Sequence, residues 1–153
     1  MQRIILAAVL LTASTIAVKA ETVFIGNVSI DAISGSTSCT STFAVGDFFR
    51  GVYRPRGGPL GNGGDSHFAT VSTRSSVSMV AVGADFKSGS NYASLSVGST
   101  ANIGSGTGAI TASTQTPATI GAGTPSVRLS VRLTRFFRIN PCTVTLSGIL
   151  IKR

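Results

Sequence analysis

The chain predicts an all-β fold, an antiparallel β-sandwich or jelly-roll-like domain, and three observations carry that expectation. Glu, Leu and Lys are scarce while Gly, Ser and Thr abound, and no window sustains apolar residues at a period near 3.6. Alternating apolar segments recur instead, separated by Gly, Asn, Pro and Ser clusters. Around eight such segments follow one another with no crossover helix between them, the pattern of sequential antiparallel strands.

Residues 1–20 stand apart from this pattern. Arg3 gives a short basic start, Ile4 to Val18 is almost continuously apolar, and Val18-Lys19-Ala20 offers the small or modest side chains a signal peptidase reads. Thr12, Ser14 and Thr15 interrupt the run, which suits a cleaved leader better than a lasting membrane anchor. The expectation is a signal peptide over 1–20 and one exported β domain over 21–153, periplasmic, extracellular or at the cell surface. Such a domain is long enough to bury a substantial core.

The first strand is expected over Thr22 to Ile30, with Val28 and Ile30 on one face and a bulge or turn at Gly26-Asn27. Asp31 to Ser41 is polar. Phe43 to Arg54 reads as the second strand region, with Phe43, Val45, Phe49 and Tyr53 on one face and Phe48, Arg50, Val52 and Arg54 on the other. Pro55 to Asp65 is a glycine- and proline-rich surface loop. Two strands follow, His67 to Thr73 and Ser76 to Phe86, and then a hairpin connection over Asp85 to Asn91. Tyr92 to Val97 alternates, with Ala93, Leu95 and Val97 expected inward.

Gly98 to Pro125 has sparse apolar positions and reads as either a sheet edge of small residues or a mobile lobe. The last thirty residues give the strongest alternation. Val127, Leu129, Val131 and Leu133 oppose Arg128, Ser130, Arg132 and Thr134. Phe136-Phe137 suggests a bend, Asn140-Pro141 a turn, and Thr143 to Ile151 a final strand with Val144, Leu146 and Leu150 inward. The expected core comprises Phe43, Phe49, Val80, Leu95, Leu129, Val131, Val144 and Leu146. A transmembrane barrel shares export and alternation with this pattern. The lack of tryptophan, the two tyrosines and the outward arginines and serines argue against a lipid-facing wall.

Cys39 and Cys142 are the only cysteines, and in an oxidising compartment such a pair forms one disulfide, here tying the two ends of the domain together. The chain carries 13 Lys and Arg against 5 Asp and Glu, a formal net charge of +8, and most of the bases are arginine. That balance favours acidic partners such as anionic polysaccharide or phosphate-bearing headgroups. Nucleic acid is not expected, because of the compartment. Arg128 and Arg132 share one outward strand face about 13 Å apart. With Arg50 and Arg54 on an adjacent strand they would form an arginine patch able to fork onto carboxylate, sulfate or phosphate.

Catalysis is weakly indicated. Asp65, Ser66 and His67 are consecutive and cannot converge locally as a triad. The one histidine makes a zinc site improbable, and the glycine loop lacks the Gly-Lys-Ser/Thr ending of a phosphate loop. No cofactor or metal is expected. The leading expectation is therefore a non-catalytic secreted or surface structural or interaction protein, able to self-assemble through its end strands. The alternative is a carbohydrate- or polyanion-binding module using Arg50, Arg54, Arg128 and Arg132, and a hydrolase is the least supported class.

Overall fold

The computed structural model describes residues 22–56, 64–72, 76–95 and 107–153, so the leader expected over 1–20 lies outside the described residues. Eight strands follow in order: β1 Phe24–Gly35, β2 Phe48–Arg54, β3 Ser66–Val71, β4 Ser76–Ala81, β5 Asn91–Leu95, β6 Gly108–Thr116, β7 Ser126–Thr134 and β8 Cys142–Lys152. Each is antiparallel to the next, and β1 pairs with β8, so the sheet is a closed up-and-down barrel. The expected sandwich or jelly roll is thereby overturned. A period of two reports one buried face per strand, and a single sheet curled onto itself satisfies it as well as two stacked sheets do.

What closes the sheet lies at the β1–β8 seam. The two strands run together from Phe24 opposite Lys152 to Gly35 opposite Cys142. Gly26 and Gly148 fall at inward positions of this seam. A Cβ on Gly148 would overlap the Asn27 carbonyl oxygen and stand 2.9 Å from Val28 Cα, and one on Gly26 would overlap the Ile149 carbonyl oxygen. Without side chains there, the backbones approach closely on the concave side and the sheet can coil tightly. Register shifts between Ile30 and Ala32 in β1 and between Ile110 and Ala112 in β6 add local bends. Closure at β5–β6 is shorter. Asn91 pairs with Ala109 and Tyr92 with Gly108, and Gly89 and Ser90 extend the seam through bonds to Ile110 of 2.8 and 2.9 Å.

The barrel interior is a packed core. Val127, Leu129, Val131 and Leu133 of β7 and Val144, Leu146 and Leu150 of β8 are buried, in the phase the alternation predicts. In β5 the expected phase is reversed. Tyr92 and Ser94 are buried on the side of Met79, and the Tyr92 hydroxyl donates to Thr134 O at 2.6 Å. A tyrosine whose hydroxyl finds a carbonyl can be buried, so the small Ala93 takes the other face. Val80, expected in the core, is buried opposite Ala93 on the outward phase, while Met79 fills the interior. The side chain of Leu95 lies outside the described residues.

Two aromatic groups occupy the interior. Tyr53, Phe68, Phe86 and Tyr92 form a chain with ring centroids 5.6–6.4 Å apart. At the other end Phe43, Phe49, Phe136 and Phe137 stand 4.8–6.4 Å apart and cover the barrel mouth. Beside that mouth lies α1, Thr37–Thr42, within a segment expected only to be polar. Its sequence TSCTST holds no strong helix former. Ser36 instead caps it through the Cys39 amide at 3.4 Å, and the Thr40, Ser41 and Thr42 hydroxyls bond back to carbonyls of the preceding turn. This turn presents Cys39 to Cys142 at the start of β8, and the expected disulfide is present, with the two Cα atoms 5.3 Å apart.

Three outcomes follow from this architecture. Gly148→Ala should lower stability by about 3 kcal/mol in urea titration, because its Cβ meets backbone that cannot yield without parting the seam. Replacing Cys39 and Cys142 together by Ala should cost about 2–5 kcal/mol in the same assay, since the bridge spans a separation of 103 residues. Burial, with a smaller contribution from Asp85, pushes the Tyr53 hydroxyl up to about 12, and burial raises Tyr92 as well. The neutral phenols are favoured when folded. Stability should hold below pH 10 and fall between pH 10 and 12 as unfolded tyrosine ionises, by about 2 kcal/mol for Tyr53. Absorbance titration of phenolate alongside far-UV circular dichroism checks it.

Candidate functional site

The described side chains pack the barrel interior, and the exposed polar groups stand on the outer wall and the rims. On the wall, strand order runs β2, β1, β8, β7, and their registers place outward residues in rows. Arg50 of β2 lies opposite Asn27, Asn27 opposite Ile149, and Ile149 opposite Arg128. At about 4.8 Å per strand the two arginines are about 14 Å apart along the wall. The sequence-based expectation put the two arginine pairs on neighbouring strands. The barrel instead inserts β1 and β8 between them, so Arg50 and Arg128 stand on opposite shoulders of a curved ridge. The ridge is apolar in part: Ile149 and Ile151 are 52% and 61% exposed, and Ile25 and Val52 are half-buried beside Ile151.

Arg132 lies one arginine position further along β7. It lines a shallow hollow of about 280 Å³ together with Ser34, Thr143 and Thr145, where the shift between Ile30 and Ala32 bends β1 away from regular pairing. Arg50, Arg128 and Arg132 are exposed, and no ion pair among the described residues engages them. Described acids have other partners. Asp31 accepts from the Ser29 hydroxyl, Asp47 accepts from the Ala44 amide at 2.8 Å, and Asp85 pairs with Lys87 at 3.2 Å. Arg54 is half-buried at the far end of β2, opposite His67 of β3, and engaged in contacts of its own. It does not extend the Arg128–Arg132 surface. A guanidinium beside hydroxyls and free of carboxylates can take an oxyanion bidentately.

No family model, curated protein or solved structure matches this chain. Its chemistry rests on its own geometry.

The residues weighed for hydrolysis are held in structural bonds. Asp65 Oδ1 accepts from the Gly83 amide at 2.7 Å, and buried Ser66 donates to Ala84 O at 2.9 Å, so both tie β3 to the β4–β5 connection. His67 is half-buried and opposes Arg54 and Val80, with no carboxylate across either strand. Among the described residues no group of His, Cys, Asp and Glu could hold a metal ion, and no helix is long and apolar enough to cross a membrane. Of the glycine loop, residues 57–63 lie outside the described residues.

A second feature escaped the sequence. A cleft of about 1200 Å³ opens at the aromatic barrel mouth, lined by Phe43, Phe48, Phe49, Phe137 and Ile139 with Arg50 on its edge. Phe48 is 74% exposed. Beside it the β7–β8 connection contains η1, Phe136–Arg138, in which Phe137 (φ 51°) and Arg138 (φ 63°) are left-handed, as is Arg135 (φ 53°) just before it. Each such non-glycine residue costs roughly 1–2 kcal/mol. The Phe136 and Phe137 rings packing against Phe43 at 5.2 and 5.0 Å, and Arg138 donating to Ser94 O at 2.7 Å, offset that cost. The paired phenylalanines were legible as a bend, but neither the left-handed turn nor the cleft beside it has a local sequence signal.

Proposed function

We propose that this chain is a non-catalytic, exported interaction protein that binds an acidic surface component, such as an acidic polysaccharide, through the outer wall of its barrel. The observation that carries this reading is the placement of Arg128 and Arg132 on one exposed strand, unpaired with any described carboxylate and bordered by the hydroxyls of Thr143 and Thr145. Carboxylate or sulfate groups spaced along a chain would engage the two guanidinium groups in turn, and the serine and threonine hydroxyls between them would bond sugar hydroxyls. Arg50 adds a third cation on the opposite shoulder, which a flexible chain wrapped around the wall would reach. Over residues 21–153, 11 Lys and Arg against 5 Asp and Glu leave a net charge of +6, which would draw such a partner in over longer range.

Self-association is the second reading, favoured by exposed Ile149 and Ile151. It cannot proceed as first expected, by pairing of free end strands, because β1 and β8 are hydrogen-bonded to each other. It would have to join barrel walls face to face.

Dextran sulfate and neutral dextran separate these readings. The protein should bind dextran sulfate and not dextran at about 50 mM salt, and the binding should collapse by about 500 mM. Arg128→Gln with Arg132→Gln should weaken it roughly tenfold or more. Unchanged affinity in that double variant would sink the wall reading. Assemblies that persist at high salt by light scattering and disappear in Ile149→Thr with Ile151→Thr would favour self-association instead.

A further inference from the structure

The cleft at the aromatic mouth is a separate candidate site, since neither Arg128 nor Arg132 lines it. Its walls are unlike the rest of the outer surface. Three of the four phenylalanines of the mouth cluster line it, Phe43, Phe49 and Phe137, and Phe48 projects at its lip from the outward face of β2. A side chain as large as Phe48 at 74% exposure has no packing role inside the barrel. Its ring instead faces the same opening as half-buried Phe137, the residue held in the left-handed region. Apolar walls with a few placed polar groups are the usual composition of a small-molecule site.

Charge selects what such a site would take. Arg50 is the one cation among the described lining residues, and no described ion pair neutralises it. Asn27, directly opposite Arg50 across the β1–β2 register, also lines the cleft and brings an amide donor to the same edge. Asp47 is the one carboxylate among the described lining residues, and it is turned into its own tight turn, accepting from the Ala44 amide at 2.8 Å. The polar edge of the cleft therefore donates to anions, and its floor is aromatic. We propose that the cleft binds an amphiphilic acid: an apolar chain or ring system bearing one carboxylate, sulfate or phosphate. Its acidic group lies on Arg50 and Asn27, and its apolar body lies between Phe48 and Phe137.

Dodecanoate and dodecanol, equal in chain length and different in charge, test this by calorimetric titration of the non-reduced protein below micellar concentration. Dodecanoate should bind at a single saturable site, more tightly than dodecanol. Arg50→Gln should weaken dodecanoate roughly tenfold and leave dodecanol unchanged, because only the charged hydrogen bonds are removed. Phe48→Ser, at an exposed position that leaves the core intact, should weaken both ligands several-fold with an unchanged melting temperature. Lys87→Gln removes the same unit of charge at the β4–β5 connection, where Lys87 pairs with Asp85, and should alter neither. Amide shifts on adding dodecanoate should centre on Asn27, Thr42 and Ser72, which line the cleft. Absence of saturable dodecanoate binding would overturn the proposal, as would equal losses in Arg50→Gln and Lys87→Gln or insensitivity to Phe48→Ser. Dextran sulfate binding by the unsubstituted protein, with no saturable dodecanoate binding, would leave the wall reading standing and remove only this one.

Discussion

The close approach of β1 and β8 is the constraint on which the rest of the structure depends. Two strands from opposite ends of the domain meet along eleven paired residues each, through a seam with room for glycine and no larger residue at positions 26 and 148. Once these strands are joined, the other six have no free path except around the circle. The disulfide lies at the upper end of the same seam, where Gly35 opposes Cys142 and Ser36 donates its amide to Pro141 O at 2.8 Å. Covalent bridge, cap and ladder thus reinforce one junction. Contacts so distant in sequence are costly to reach in folding, and the bridge reduces that cost by limiting the unfolded chain.

A barrel of eight strands has an interior that side chains can fill, and the described residues occupy this one with two aromatic groups and a set of valine, leucine and isoleucine. That packing sets where function can reside. The clefts lie on the barrel wall and over its mouth. The wall is rich in arginine, serine and threonine while the interior is apolar, the reverse of a barrel that faces lipid around an aqueous lumen.

The mouth is where the regular pattern breaks down. β7 and β8 remain paired up to Thr134 opposite Thr143. Their connection turns through three left-handed residues, stabilised by phenylalanine rings packed over the core. The same rings that seal the interior form one wall of the cleft, so the strain of the turn and the shape of the site have a common origin. Arg50 and Asn27 belong to both exposed features, standing in the outward row with Arg128 and on the edge of the cleft.

Local chemistry in the sequence was sufficient for much of this. Alternation in Ser126–Thr134 and Cys142–Lys152 identified strands and their buried faces, because burying one side of a strand requires apolar residues at every second position. The two cysteines identified their bridge because there were no others to choose from. The outward arginines of β2 and β7 were legible by the same alternation. What the sequence could not contain was the relation between distant strands. Sandwich and barrel differ in whether the first strand hydrogen-bonds to the last, and that choice is made by backbone separation at Gly26 and Gly148, not by any local pattern. It decided that two strands would part the arginine pairs, that β5 would bury Tyr92 against Thr134 O, and that residues 27, 50, 72 and 137 would border one cleft. Periodicity encodes which side of a strand is dry, whereas closure of the sheet decides what each wet side will face.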